Sequence, residues 1–294
     1  MDRLRRWSTL CRYLGPWANA EAAPNVIRRP MYIRASDTQP CFQMRIYEPT
    51  RGRIFGSVFL VPGLHFEGPD HPRMDRFAAI LASTGVMVFT PFVPDLLAMS
   101  FNERMLLDVE RAFKSMLEHP ERPRGKPGVI SISFGSLPCL RLAAHPQHGS
   151  DMLGLMTFGG FFDWRATLRF CMLGGDGVSH DPLNRPVVFT NLMSAFPQVP
   201  APNAVVDAWH AYMRQTWGKV ELMKDETARL EAAKYVSKLL DPESNKLFLQ
   251  GCDLAPGGPE LVYDALHGQD AKPWLNPIPH PERVVPPLWA VHSV

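Results

Sequence analysis

Four short stretches of this chain are apolar on nearly every residue: Ser57–Val61, Val86–Phe89, Val129–Ile132 and Leu153–Phe158. A half-exposed strand alternates apolar with polar, so an unbroken apolar run marks a strand buried on both faces. Between these runs the apolar residues recur at helical spacing. Met74, Phe77, Ala78 and Leu81 form one stripe; Met105, Val109, Ala112, Phe113 and Met116 form the next. Leu137 to Ala144 reads as a third helix, with Pro138 tolerated in its first turn. Strand and helix alternate over about a hundred residues, which predicts an α/β fold: a mostly parallel sheet with helices on both faces.

The flanks differ. Residues 1–24 predict a short peripheral helix with a loose tail. Met31–Arg34 and Phe42–Tyr47 alternate apolar and polar and predict an antiparallel hairpin at a sheet edge. Beyond Gly159-Gly160, residues from about 164 to 280 carry helical segments between Pro- and Gly-rich loops, before Leu288–Val291 resumes strand character. The expected division is a peripheral segment at 1–29, a sheet core at 30–163 and 281–294, and a helical cap at 164–280, inserted after the strand that follows Ser133. The cap's Phe189, Leu192, Phe196, Trp209 and Trp217 suit internal packing better than substrate contact.

The stretch Ser131-Ile132-Ser133-Phe134-Gly135 lies between the third buried strand and its helix. A serine there, with small residues two before and two after, fits a nucleophile elbow. The turn is so tight that larger side chains at the flanking positions would collide. It lifts the hydroxyl above the sheet edge and aims the next N–H at the same point. Ser-x-Ser-x-Gly is also compatible with an ordinary strand-to-helix turn. Upstream, the first buried strand stops at Pro62-Gly63-Leu64-His65.

In this order of elements, with the strand ending Val61-Pro62-Gly63-Leu64-His65, the elbow around Ser133 and the strand ending Phe158-Gly159-Gly160, the chain resembles the α/β-hydrolases over about residues 30–165 and again at 284–294. The resemblance implies a catalytic serine at Ser133 and an oxyanion hole from two backbone N–H groups, those of Phe134 and Leu64, with His65 the second choice for the latter. It also implies that an acid and a histidine follow the serine. The tail His292-Ser293-Val294 resembles the strand end before the acid loop, which implies an N-terminal portion of a longer hydrolase. Within the chain, Asp163 and His65 are candidate partners. Asp163 also suits an N-cap before Trp164, and His65 suits a role in shaping the oxyanion loop. His180, His210, His267 and His280 lie in or beside the helical segment.

Function then divides into classes. The first is a serine hydrolase acting on an ester, thioester or small amide through an acyl-enzyme; the second is acyl transfer on the same fold. The third is a catalytically incomplete chain that binds but does not turn over. An apolar cap favours an apolar acyl substrate. A net charge of +2, with no basic stripe interleaved with aromatics, points away from nucleic acid. Cys11, Cys41, Cys139, Cys171 and Cys252 form no C-x-x-C pair, so no zinc site or disulfide framework is indicated, and a reducing, cytoplasmic setting is expected. Gly174 to Gly177 and Gly257-Gly258 lack the context of a phosphate loop, so no cofactor or metal is expected. No apolar run approaches membrane-spanning length.

Overall fold

The computed structural model describes residues 2–292 except 17, 37, 38, 176, 178, 179, 269–272 and 278–283. His280, Asp176, Ser293 and Val294 therefore lie outside the described residues. The chain divides into two compact units, Met1–Phe162 with Asn276–Val294, and Asp163–Leu275.

The first unit holds a seven-stranded sheet of order β1-β2-β4-β3-β5-β6-β7. Its strands are β1 (Val26–Ile33), β2 (Phe42–Pro49), β3 (Gly56–Val61), β4 (Val86–Pro91), β5 (Gly128–Ile132), β6 (Gly154–Phe158) and β7 (Leu288–Val291). β1 and β2 pair antiparallel, β2 joins β4 antiparallel, and every other pairing is parallel. The helices of this unit are α1 (Asp2–Leu14), α2 (Pro72–Ser83), α3 (Pro94–Leu97), α4 (Glu103–Leu117), α5 (Ser136–Ala144) and α6 (Pro146–Ser150).

Successive residues of a strand point to opposite faces, and β3 and β4 use both. Leu60 and Val88 pack with Met74, Ala78 and Ala82 of α2. Phe59, one residue away from Leu60, meets Phe113 of α4 edge to face at 5.5 Å. The helices thus cover both faces, and this is why β3 and β4 read as solid apolar runs. β1 is longer than its alternating pattern predicts. It begins at Val26, and Arg28, Arg29 and Pro30 all lie in register with β2. An edge strand tolerates them because its outer groups need no ladder partner.

The second unit carries α7 (Trp164–Leu173), α8 (Arg185–Leu192), α9 (Pro202–Thr216), α10 (Glu226–Val236), α11 (Pro242–Gly251) and α12 (Gly258–Gly268). Its core is aromatic. Phe189 touches Phe196 at 4.8 Å and Trp209 at 5.5 Å between ring centroids, and Tyr212 meets Phe248 at 6.1 Å. The Trp209 indole N–H donates to the Phe248 carbonyl at 3.0 Å. Gly251 is required there, because a Cβ would fall 2.5 Å from Trp209 Nε1. Phe189, Leu192, Phe196 and Trp209 are buried in this unit's own interior.

All five cysteines are free, with Cys139 and Cys252 buried. No described helix is long and apolar enough to cross a membrane.

Candidate active site

The sheet register places the candidate site. Val61, the last residue of β3, lies opposite Ser131 of β5, and Ile132 lies opposite Phe158 of β6. The three segments that leave these strands, Pro62-Gly63-Leu64, Ser133-Phe134-Gly135 and Gly159-Gly160-Phe161, therefore emerge side by side at the carboxyl ends of the strands. Ligands of open α/β sheets bind at that edge.

Ser133 stands in the left-handed region at φ 51° and is exposed. A non-glycine residue takes that conformation only when its surroundings impose it. The constraint comes from close backbone packing on both sides of the serine. A Cβ on Gly63 would lie 3.0 Å from Ser133 Cβ and 3.5 Å from its Oγ. A Cβ on Gly135 would lie 2.4 Å from the Pro62 carbonyl oxygen, and one on Gly160 would lie 2.7 Å from Ser136 Cβ. These contacts let two loops close on the turn. Phe134 fastens it further: its ring stacks on Phe101 at 5.0 Å and lies 5.4 Å from Phe161. The Ser136 hydroxyl accepts from the Phe161 N–H at 3.3 Å.

Ser131, two residues before Ser133, is fully buried, and its hydroxyl has no partner among the described residues. Glycine or alanine would suit this position at least as well, because an unmade buried hydrogen bond costs on the order of 1–3 kcal/mol.

His65 sits two residues past Gly63. Its backbone N–H donates to the Leu96 carbonyl at 3.2 Å, so that N–H is engaged. The imidazole Nδ1 accepts from the Glu67 N–H at 3.1 Å. Burial first, then the facing His71, hold this imidazole below its ordinary pKa. His71 lies 4.3 Å away, ring to ring. Sequence reasoning missed His71; it lies six residues downstream, across Gly68-Pro69-Asp70, in a spacing that matches no familiar motif.

Asp163 is exposed and caps α7, its carboxylate accepting from the Ala166 N–H at 2.9 Å. His180 pairs with Asp253 at 2.7 Å, and Arg185 reaches the other oxygen of the same carboxylate at 2.5 Å. These residues are 73 apart in sequence in the first case, so nothing in the local pattern announces the pair. His210 lies on α9 with Nε2 unpartnered among the described residues, and burial lowers its pKa. His267 lies on α12. Among the described residues, no imidazole is hydrogen-bonded to the Ser133 hydroxyl.

No protein-family model matches the sequence, and no curated protein matches it. Solved structures do. The hyperthermophilic esterase of the archaeon Pyrobaculum calidifontis aligns over 98% of this chain and 70% of its own, at 13% identity and a TM-score of 0.48. The esterase Est22 aligns over 63% of this chain and 53% of its own, at 16% identity and a TM-score of 0.43. The esterase domain of a Rhodothermus marinus protein aligns over 52% of this chain and 58% of its own, at 15% identity and a TM-score of 0.38. The matched part thus spans little more than half of the last two chains. The sheet order, the left-handed serine between β5 and α5, and the glycine-bearing loop after β3 give this chain an α/β-hydrolase fold.

Proposed function

We propose that the chain is a serine hydrolase that cleaves a carboxylic ester, thioester or small amide through an acyl-enzyme on Ser133. The observation that carries this reading is the exposed Ser133 at φ 51°, with Gly63 packed against its side chain. Strain of this kind clusters at functional sites, and here it stands at the carboxyl edge of a parallel sheet, where ligands bind. In the proposed reaction, Ser133 Oγ attacks the substrate carbonyl and its proton passes to a base. The Phe134 and Leu64 N–H groups receive the oxyanion, and the leaving alcohol, thiol or amine departs with the proton. Water then attacks the acyl-serine and restores Ser133. The buried rings of Phe101 and Phe134 and the half-buried ring of Phe161 pack beside the turn, an apolar setting that favours an apolar acyl group. His65 serves the loop rather than the proton transfer in this reading, because its ring and its N–H are both engaged locally.

The test is covalent labelling with a fluorophosphonate, followed by peptide mapping. The reading expects one adduct, on Ser133, absent from Ser133→Ala. Label on another residue, retained in that variant, overturns it. A second reading, a binding protein that keeps the pocket without turnover, is favoured by the absence of an imidazole on the Ser133 hydroxyl among the described residues. It expects a folded protein that takes up no probe. If labelling succeeds, adding an alcohol to the turnover assay separates hydrolysis from acyl transfer through the ester formed.

A further inference from the structure

The loop that follows β3 carries a second grouping of side chains that the hydrolase reading does not use. His65, Glu67 and His71 offer one donor atom each, all within 4.8 Å of one another. We propose that these residues form a binding site for a divalent transition-metal ion, with zinc the ion that suits the donor set best. Two imidazoles and a carboxylate are the ligands zinc takes when it keeps a fourth position open to water. The same nitrogen-rich set is poorly suited to magnesium or calcium, which want oxygen.

The backbone of the loop is held in place without an ion. Gly68 N–H donates to the His65 carbonyl at 3.0 Å, Asp70 N–H to that of Glu67 at 2.9 Å, and His71 N–H to that of Gly68 at 3.2 Å. Gly68 stands at φ 50° with the Leu97 side chain where a Cβ would go, and the ring of Pro69 fixes the next φ in the turn, its own. The three donors therefore hang from a rigid turn. Zn–N bonds of about 2.0–2.1 Å put tetrahedral donors about 3.3 Å apart, so side-chain rotation alone has to close the gap. The exposed Glu67 can supply most of that movement.

Two of the three donors are also uncommitted to other work. His71 precedes α2 but makes no side-chain cap bond, and Glu67 enters no salt bridge among the described residues. Neighbouring carboxylates are taken: Asp70 pairs with Arg45 at 2.5 Å, and Asp75 with Arg28 at 2.7 Å. The one local bond the site must give up or adjust is that from the Glu67 N–H to His65 Nδ1, which water can replace at this exposed position. The grouping escaped the sequence because His-x-Glu-x-x-x-His is not a recognised ligand spacing, and the short 3-10 turn at Gly68–Asp70 is what folds it together.

The test reads metal binding and not turnover, so it stands or falls apart from the assignment of Ser133. The full chain is stripped with a chelator and titrated with Co2+, then Zn2+. One equivalent of Co2+ should bind with the visible absorption of a low-symmetry, four- or five-coordinate ion, and Zn2+ should displace it. His71→Ala and Glu67→Gln should each weaken binding by at least about tenfold. Melting of each variant in chelator should match the parent, since neither side chain supports the fold. If His71→Ala does not fold, the surface change Glu67→Gln carries the comparison. No bound Co2+ in the parent overturns the proposal. So does binding that survives both substitutions, or that is lost only on replacing the exposed Cys11 and Cys41.

Discussion

The turn at Ser133 and the cluster around Asp253 are two ways of holding a polar group where a protein would not place one by default. At Ser133 the means is backbone. Gly135 and Gly160 leave no room for a side chain, Gly63 leaves little, and the strands β3, β5 and β6 deliver their ends to one spot. At Asp253, which also stands in the left-handed region at φ 57°, the means is charge: Arg185, buried, and His180 grip its two oxygens. The difference predicts different kinds of fragility. A site made of backbone should fail when any atom is added. A site made of charge should fail when a charge is removed and should tolerate changes of shape.

The largest expected effect is on the reactive atom. Ser133→Ala should abolish fluorophosphonate labelling and all turnover that passes through the acyl-enzyme, while the melting temperature stays level, because alanine keeps the Cβ at the left-handed position. Turnover that persists in this variant would remove the elbow from the comparison altogether. Next comes the charge cluster. Asp253→Asn keeps the size and the tolerance of a left-handed backbone but strands the Arg185 guanidinium, which is 5% exposed. A loss of about 3 kcal/mol in denaturant unfolding is expected, since an uncompensated buried charge is expensive. A neutral result would show that the Met172 carbonyl, which Arg185 also contacts at 2.7 Å, suffices alone.

Gly135→Ala sharpens the backbone side of the contrast. Its Cβ would sit 2.4 Å from a carbonyl oxygen that cannot rotate away, so about 2 kcal/mol of destabilisation is expected. Labelling of Ser133 should be lost more completely than stability. Equal losses would mean that the turn is merely structural. The smallest effect has the opposite sign. Ser131→Ala removes a buried hydroxyl without a partner among the described residues and should stabilise by about 1 kcal/mol in the same unfolding experiment. A destabilised Ser131→Ala would show that the hydroxyl is satisfied by a bound water.

The legible parts of the molecule were those where one physical requirement dominates several consecutive residues. β3, β4 and the stripes of α2 and α4 are buried on a face or on both, so their composition leaves no alternative. The turn at Ser133 was legible because its tightness restricts the residues at 131 and 135. The first half of β1 is not legible because Arg28, Arg29 and Pro30 interrupt its alternation, and only the position at the edge of the sheet excuses them. The pairing of His180 with Asp253, and of His65 with His71, was not legible. In the first, the partners meet through the tertiary fold of the helical unit; in the second, through a turn whose geometry depends on Leu97 filling the space beside Gly68. Neither leaves a periodic trace. For Asp163 the sequence offered both a helix cap and a catalytic acid, and the cap is the arrangement present in its hydrogen bonds.

The close approach of Gly63 to Ser133 has a consequence for how such a chain can change over generations. The positions around the reactive atom are locked, because each is already as small as an amino acid can be, and drift at Gly63, Gly135 or Gly160 leads only to larger side chains. The hydroxyl itself is under no such restriction. Position 133 is exposed, and exchanging its hydroxyl for a thiol would add no heavy atom to the same cradle. Innovation in this architecture is therefore cheapest at the residue proposed to perform the chemistry, and the scaffold around it acts as an inherited tool-holder into which a new bit can be set.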